Sequence, residues 1–343
     1  MVYNKNPRDI NPSDFFKLEK DEDRIKFLLQ YGVLAPSTHN SQPWLLKVGA
    51  DFCKIYYDKT KEVKEADPLG RDLFISFGCF VENVCLAAEC FGVATNVEYS
   101  LGSGDDYIAE IKFSNLRSSQ MDVKEADLLD IITTRVNARG IFETKNIPPE
   151  VLENLARLNT NEDVKIFIIT DRQKIKEIAD LTARGLKSAY SSSRFRKEMS
   201  GWMISNFSQK KEGIPGYSLR MSGLFSLIFP KLVRLFDIGK MVGVLNYKSV
   251  SSAPGIVIIC SKDNQKTTWL RIGRLAEKLM LYARKWGLKT SIFVASIEMM
   301  DSHKEIQKII ESDLTPQFLF CVGYLDYNQK PNPRFSVEEK LIK

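Results

Sequence analysis

Histidine is nearly absent from this chain: His39 and His303 are the two among 343 residues. That inventory argues against a His-rich zinc site and against a Ser-His-Asp hydrolase. No Gly-x-x-x-x-Gly-Lys-Ser/Thr loop and no Gly-x-Gly-x-x-Gly fingerprint occurs either, which removes the two common glycine-rich phosphate cradles. Gly102-Ser-Gly104-Asp-Asp reads as a hairpin turn between two strand-like runs. The six cysteines form no Cys-x-x-Cys pair and sit mostly in apolar stretches. They are expected to be reduced, buried small hydrophobes in a cytoplasmic protein. Blocks of like charge are missing: 49 basic and 43 acidic residues are spread along the chain, for a net charge of +6. Neither a nucleic-acid arm nor a polybasic membrane patch is expected, while mild positive charge suits small anions. Met1 to Asp14 lacks the apolar core of a signal peptide. The apolar run Met221 to Pro230 falls well short of the about 20 residues that span a bilayer. If the protein is an enzyme, a bound cofactor is expected to carry the chemistry.

What is present is a stiff polar loop. Ala35 to Trp44 reads Ala-Pro-Ser-Thr-His-Asn-Ser-Gln-Pro-Trp, between an amphipathic helix and a strand-like stretch. Pro36 and Pro43 restrict the backbone and donate no hydrogen bond. Ser37, Thr38, Asn40, Ser41 and Gln42 offer short donors and acceptors between them. Such a loop suits the edge of a planar, polar heterocycle. It also suits a plain helix-to-strand connection that satisfies its own backbone.

The chain repeats itself. Asp72 to Val97, a long buried helix followed by a strand, matches Thr267 to Ile292 at an offset of 195 residues. Under that offset Gly78 falls on Gly273, Glu82 on Glu277, Leu86 on Leu281, Ala88 on Ala283 and Gly92 on Gly287, while Phe91 falls on Trp286. Each copy ends its apolar helical pattern with a C-cap glycine and then a strand. Two related α+β halves are therefore expected, divided as 1–120 and 121–343. The first holds a helix at 24–33, a hairpin at 44–57, the long helix from Arg71, and strands at 95–99 and 107–113. The second holds helices at 124–133 and 149–158, strands at 164–169 and 255–260, the long helix from Trp269, and strands at 290–294 and 318–324. Hairpins with helices packed on them indicate α+β, not a doubly wound parallel sheet. Between 181 and 248 the periodicity weakens. The apolar run Leu224 to Val242 carries interspersed lysine and arginine. A helical insertion covering a cleft suits it better than a membrane-surface helix, because the run is too interrupted for one clean amphipathic face.

A second constellation lies at Ile131 to Phe142, where Arg135, Asn137 and Arg139 alternate as a helix gives way to extended chain. Alternation points all three to one side, and two guanidinium forks there make a receptor for phosphate. A solvated basic face is the alternative.

The loop resembles the flavin-contacting Pro-Ser-x-x-Asn-x-Gln-Pro-Trp segment of the nitroreductase superfamily. Arg135-x-Asn137-x-Arg139 is similar to that family's FMN-binding Arg-x-Ser-x-Arg motif, with asparagine where serine is usual. Ile147-Pro-Pro-Glu150, Gly323-Tyr324 and the late Arg334 also resemble family features. The loop lies in one half and the arginine motif in the other. That split is similar to the Acg-like branch, a fused pseudo-dimer, which also shares Asp67-Pro-x-Gly70-Arg71. The resemblance covers most of 25–334 and implies a nitroreductase-like α+β fold, an intramolecular pseudo-dimer with a helical lid insertion at about 181–248. It implies FMN held by Pro36, Ser37, Thr38, Asn40 and Gln42 at the ring and by Arg135, Asn137, Arg139 and Arg334 at the phosphate. It further implies hydride transfer from NAD(P)H through FMN to a flat acceptor such as a nitroaromatic or quinone, with no protein nucleophile. The expected partners are NAD(P)H and that small aromatic acceptor, with no nucleic acid and no membrane, and with further dimerisation left open. The alternatives are a non-catalytic protein that stores or senses FMN under a closed lid, and an interaction protein that has lost flavin.

Overall fold

The computed structural model describes residues 6–101, 107–118, 125–298 and 302–342. The Gly102 turn, Lys124 and the boundary between 120 and 121 lie outside them. Alternating apolar residues form β1 (Trp44–Val48) and β2 (Phe52–Tyr57), which pair antiparallel as the expected hairpin. After α1 (Asp21–Gly32) and this hairpin comes α2 (Arg71–Cys90), and then β3 (Ala94–Tyr99) and β4 (Tyr107–Ser114). The strand order is β1-β2-β4-β3. The second half contributes α3 (Asp127–Thr134), α4 (Pro149–Arg157), β5 (Val164–Ile169), β8 (Gly255–Ser261), α9 (Lys266–Lys285), β9 (Lys289–Ile292) and β10 (Thr315–Gly323). Its order is β5-β8-β10-β9, again all antiparallel. Both sheets share one connectivity, with the long helix placed between the second and third strands. The chain is thus α+β with two four-stranded antiparallel sheets.

The two long helices lie against each other at the centre. Of α2's 20 residues 18 are buried, so its apolar length marks a core helix and not a membrane span. The crossing is set by glycine. A Cβ on Gly78 would fall on the Leu270 carbonyl oxygen and 2.8 Å from Gly273 Cα. A Cβ on Gly273 would fall on the Ile75 carbonyl oxygen and 2.9 Å from Gly78 Cα. Ile75 and Leu270 are themselves 195 residues apart, so the contact is reciprocal about the glycine pair. One apolar cluster runs through both sheets and both helices, with Trp44, Phe80, Leu270 and Phe320 among its members. All six cysteines are buried and unbridged.

The region between β5 and β8 supplies a third layer. It holds α5 (Arg172–Ser191), α6 (Ser193–Trp202), the short parallel pair β6 (Met203–Ile204) and β7 (Ile214–Pro215), α7 (Gly223–Leu235) and α8 (Gly239–Ser252). Every residue of β8 is buried: Val257 and Ile259 face the central cluster, Ile256 and Ile258 a second one with Ile175 and Ile178 of α5. Helix α8 rests on α5 through Gly239 and Gly243, whose added Cβ atoms would meet the Lys187 and Ala183 carbonyl oxygens. Leu181, expected as the insertion's first residue, lies inside α5 and is buried in that second cluster. The 172–252 stretch therefore begins as a structural layer over the second sheet, and its later part reaches Lys61, Glu65 and Ala66. After β9, α10 (Ala295–Glu298) and α11 (Ser302–Ile310) lead into β10.

Candidate functional site

The 35–44 loop is held in an uncommon backbone state. His39, Asn40 and Gln42 have φ of 54°, 57° and 50°, left-handed values that cost non-glycine residues about 1 kcal/mol or more each. The Ser37 hydroxyl accepts from Gln42 N at 2.9 Å, and Thr38 N donates to Ser76 Oγ on α2. His39 is packed beside Trp202, with Nε2 unpartnered among the described residues, and burial pushes its pKa down to about 4. Pro36 is half-buried at the head of the loop.

The C-terminal arm reaches this loop from the second sheet. Its end joins the first sheet, where Ile342 N donates to Leu46 O at 2.8 Å. Arg334 Nη1 donates to Asn40 Oδ1, and Nη2 reaches the Leu34 and Ala35 carbonyls at 3.3 and 3.2 Å. Gln42 Oε1 accepts from Phe335 N at 2.9 Å. Its amide Nε2 donates to Lys211 O at 2.7 Å, and buried Lys340 Nζ donates to Gln42 O at 2.7 Å. Asn40 Nδ2 donates to Lys211 O and Pro333 O. The side chains expected at a ring edge thus divide into two groups. Ser37 and Thr38 keep hydroxyl capacity, whereas Asn40 and Gln42 are engaged by the chain itself.

Three guanidinium groups converge around one carboxylate. Arg135, at the end of α3, places Nε 3.1 Å from Glu277 Oε1, with both side chains buried. Arg8 comes from the N-terminal segment and donates to Thr133 O at 2.6 Å, capping α3. Burial and then Arg135 push the Arg8 pKa down to about 10, against Tyr217 and Glu277. Arg334 is driven well below its ordinary value by burial, Arg8 and Arg135. Burial raises the Glu277 pKa, opposed by Arg135 and Arg334. Arg8 Nε, Arg135 Nη1 and Arg334 Nε are buried donors that find no partner among the described residues. Three cations with one facing carboxylate leave buried positive charge uncompensated, an arrangement suited to a multiply charged anion.

The alternating segment does not present its three side chains to one partner. Asn137 Oδ1 accepts from Ile292 N at 2.8 Å, tying the segment to β9. The Arg139 guanidinium lies 4.8 Å from the Phe293 ring centre, beside Tyr190 and Cys321, and burial lowers its pKa. Arg135 instead faces Glu277 because it is still governed by the end of α3. Arg8 and Lys340 carry no sequence signal, and Glu277 was legible only as the repeat partner of Glu82, which holds Arg274 at 2.7 Å.

A cleft of about 580 Å³ is lined among others by Glu65, Arg194, Lys197, Trp202 and Glu212. Glu198 accepts from Glu65 N and Ala66 N, and Lys61 pairs with Glu212. These contacts join α6 and the stretch after it to the first half.

A second polar cluster lies at the start of α2. Arg71 sits between Asp72 and Glu298, at 3.6 and 3.4 Å, and Asp67 caps the helix through Leu73 N. Burial and Asp72 raise the Asp67 pKa to about 6. Burial and Asp72 also hold Glu298 well above the carboxylate range, against Arg71. A carboxyl that binds its proton more tightly folded than unfolded supports the fold below about pH 4. It withdraws that support as pH rises through about 6, a loss of at most about 3 kcal/mol. Urea unfolding should accordingly show this loss in the wild type, and Asp67→Asn should flatten it. An unchanged pH slope in that variant rules this assignment out.

No family model matches the sequence. A Mycobacterium tuberculosis protein described as "Putative NAD(P)H nitroreductase acg" is 27% identical over 326 residues, covering 91% of this chain and 92% of the relative. A second from the same organism, "Putative NAD(P)H nitroreductase Rv3131", is 21% identical over 91% of this chain and 88% of its own length. The solved FMN and NADPH-dependent nitroreductase NfnB from sphigopyxis sp. strain HMH matches 62% of this chain and 96% of its own, at 14% identity and a TM-score of 0.42. Along nearly its whole length the chain is thus similar to proteins described as putative NAD(P)H nitroreductases, and it carries both the Pro36–Trp44 loop and the Arg135 segment that resemble motifs of the nitroreductase superfamily.

Proposed function

We propose that the chain is an FMN-dependent NAD(P)H oxidoreductase, a fused pseudo-dimer with one flavin site between its halves. The observation that carries this is the group of Arg8, Arg135 and Arg334 around Glu277, next to the strained Ser37–Gln42 loop. Three buried donors without partners among the described residues fit the dianionic phosphate of FMN. Arg135 and Arg334 would hold it, with Arg8 as a third donor, while Ser37 and Thr38 would serve the ring edge. When bound, FMN would supply hydride transfer between a reduced nicotinamide and a flat acceptor such as a nitroaromatic or quinone. The 580 Å³ cleft with Trp202 on its wall supports a planar acceptor. Asn137 positions the arginine segment through β9, and Arg139 stiffens it against Phe293. The shared connectivity of the sheets and the reciprocal glycine crossing support the fused-pair reading.

Storage or sensing of FMN without turnover is the second reading, favoured by the seating of Lys211 on Asn40 and Gln42. A visible spectrum after FMN addition and desalting, followed by anaerobic NADPH and then NADH, separates the two. A band that bleaches supports turnover, a persistent band supports storage, and no band overturns the flavin assignment. Arg8→Gln should weaken FMN binding about 10-fold or more and leave riboflavin binding unchanged. Equal losses for both flavins would remove Arg8 from the phosphate site.

A further inference from the structure

Nine of the thirteen large apolar side chains exposed among the described residues fall between 224 and 245. The sequence there looks too interrupted for an amphipathic face because it is two helices, broken at Phe236–Ile238. Each helix has a clean outward stripe. On α7 the inward residues are Ser226, Phe229 and Val233. Opposite them, at i, i+4, i+7 and i+11, stand Leu224, Ile228, Lys231 and Leu235. On α8 Gly239, Gly243 and Val250 face inward, while Met241, Val244, Leu245 and Lys248 stand at i, i+3, i+4 and i+7 on the other side. Leu224 is 79% exposed and Leu235 68% on α7, and Leu245 is 59% exposed on α8, so both stripes stand open to solvent.

Charge selects the occupant. From 223 to 248 the basic residues are Lys231, Arg234, Lys240 and Lys248, against Asp237 as the sole acid. All four are exposed, and among the described residues none forms an ion pair. Lysines inside an apolar stripe suit side chains that sink their stems into a lipid interface and keep their ammonium groups at phosphate level. A second copy docking by the same face about a two-fold axis would set these cations against themselves. We propose that α7 and α8 form a docking surface for an anionic lipid bilayer, lying in its interface without crossing it. This reverses the expectation of no membrane partner and is independent of the flavin reading.

The test is flotation of the full-length protein with phosphatidylcholine vesicles, with and without about one third phosphatidylglycerol. The wild type should float with the anionic vesicles, with about tenfold less bound to phosphatidylcholine alone or at high salt. Leu224→Glu with Leu245→Glu should abolish flotation, as should Lys231→Glu with Lys248→Glu. All four positions are exposed, and circular dichroism checks the fold of each variant. Absence of flotation, equal binding to both vesicle types, or flotation retained in both variants overturns the proposal. So does a dimer, seen without lipid by sedimentation velocity, that Leu224→Glu with Leu245→Glu dissolves.

Discussion

Glu277→Gln should lower the unfolding free energy of the flavin-free protein by about 3–5 kcal/mol, the usual cost of leaving a buried charge uncompensated. Glu277 is fully buried and is the carboxylate that faces Arg135, with Arg8 and Arg334 acting on it and on each other. Glutamine keeps the shape and removes the carboxylate charge that faces Arg135, so three guanidinium groups would repel at close quarters. The loss should be partly reversed by millimolar inorganic phosphate, because an anion that binds only the folded state stabilises by mass action. Urea unfolding with phosphate and with chloride at matched ionic strength reads both effects. A variant as stable as the wild type, or one blind to phosphate, would refute the description of this cluster as buried uncompensated charge.

Gly78→Ala should cost about 3 kcal/mol or more, at the upper end of overpacking penalties. The new methyl would meet the Leu270 carbonyl and Gly273 Cα, which are backbone and cannot turn aside as a side chain tip can. Helices α2 and α9 would have to separate along their crossing, loosening the core shared by both halves. Gly273→Ala meets the reciprocal obstacle at Ile75 and should cost a similar amount. The double variant should cost clearly less than the sum, since one separation relieves both clashes. Chemical denaturation of the three variants measures this. Additive losses, or a Gly78→Ala loss below about 1 kcal/mol, would mean the crossing yields more readily than its geometry implies.

Much of the fold was legible because its signals are local. The 195-residue offset aligned Gly78 with Gly273, and those two residues turned out to touch. Alternation located the Trp44–Tyr57 hairpin, and the two prolines marked the 35–44 loop. The site was less legible. Arg139 reads as Arg135's partner by alternation, yet Arg135 still obeys the end of α3 and turns to Glu277, so the two face different neighbours. Asn40 and Gln42 read as free amides, but Lys211, Arg334 and Phe335 approach them across at least 169 residues of sequence. Arg8 stands in no motif; its place follows from the N-terminal segment capping a helix of the opposite half.

The sequence alone located the long helices, the Trp44–Tyr57 hairpin and the other strands of the two four-stranded sheets, and it marked the loop and the arginine segment that resemble nitroreductase motifs, while α6 to α8 and the short β6–β7 pair went unread. What it located follows from periodicity, capping and turn chemistry, which act over a few residues. Tertiary structure decided which charges share one buried volume, which polar groups the chain satisfies itself, and which faces of α7 and α8 remain outside. Those outcomes depend on how the N-terminal segment, the insertion and the C-terminal arm cross between halves, and burial makes each such contact strong only once the chain has closed around it.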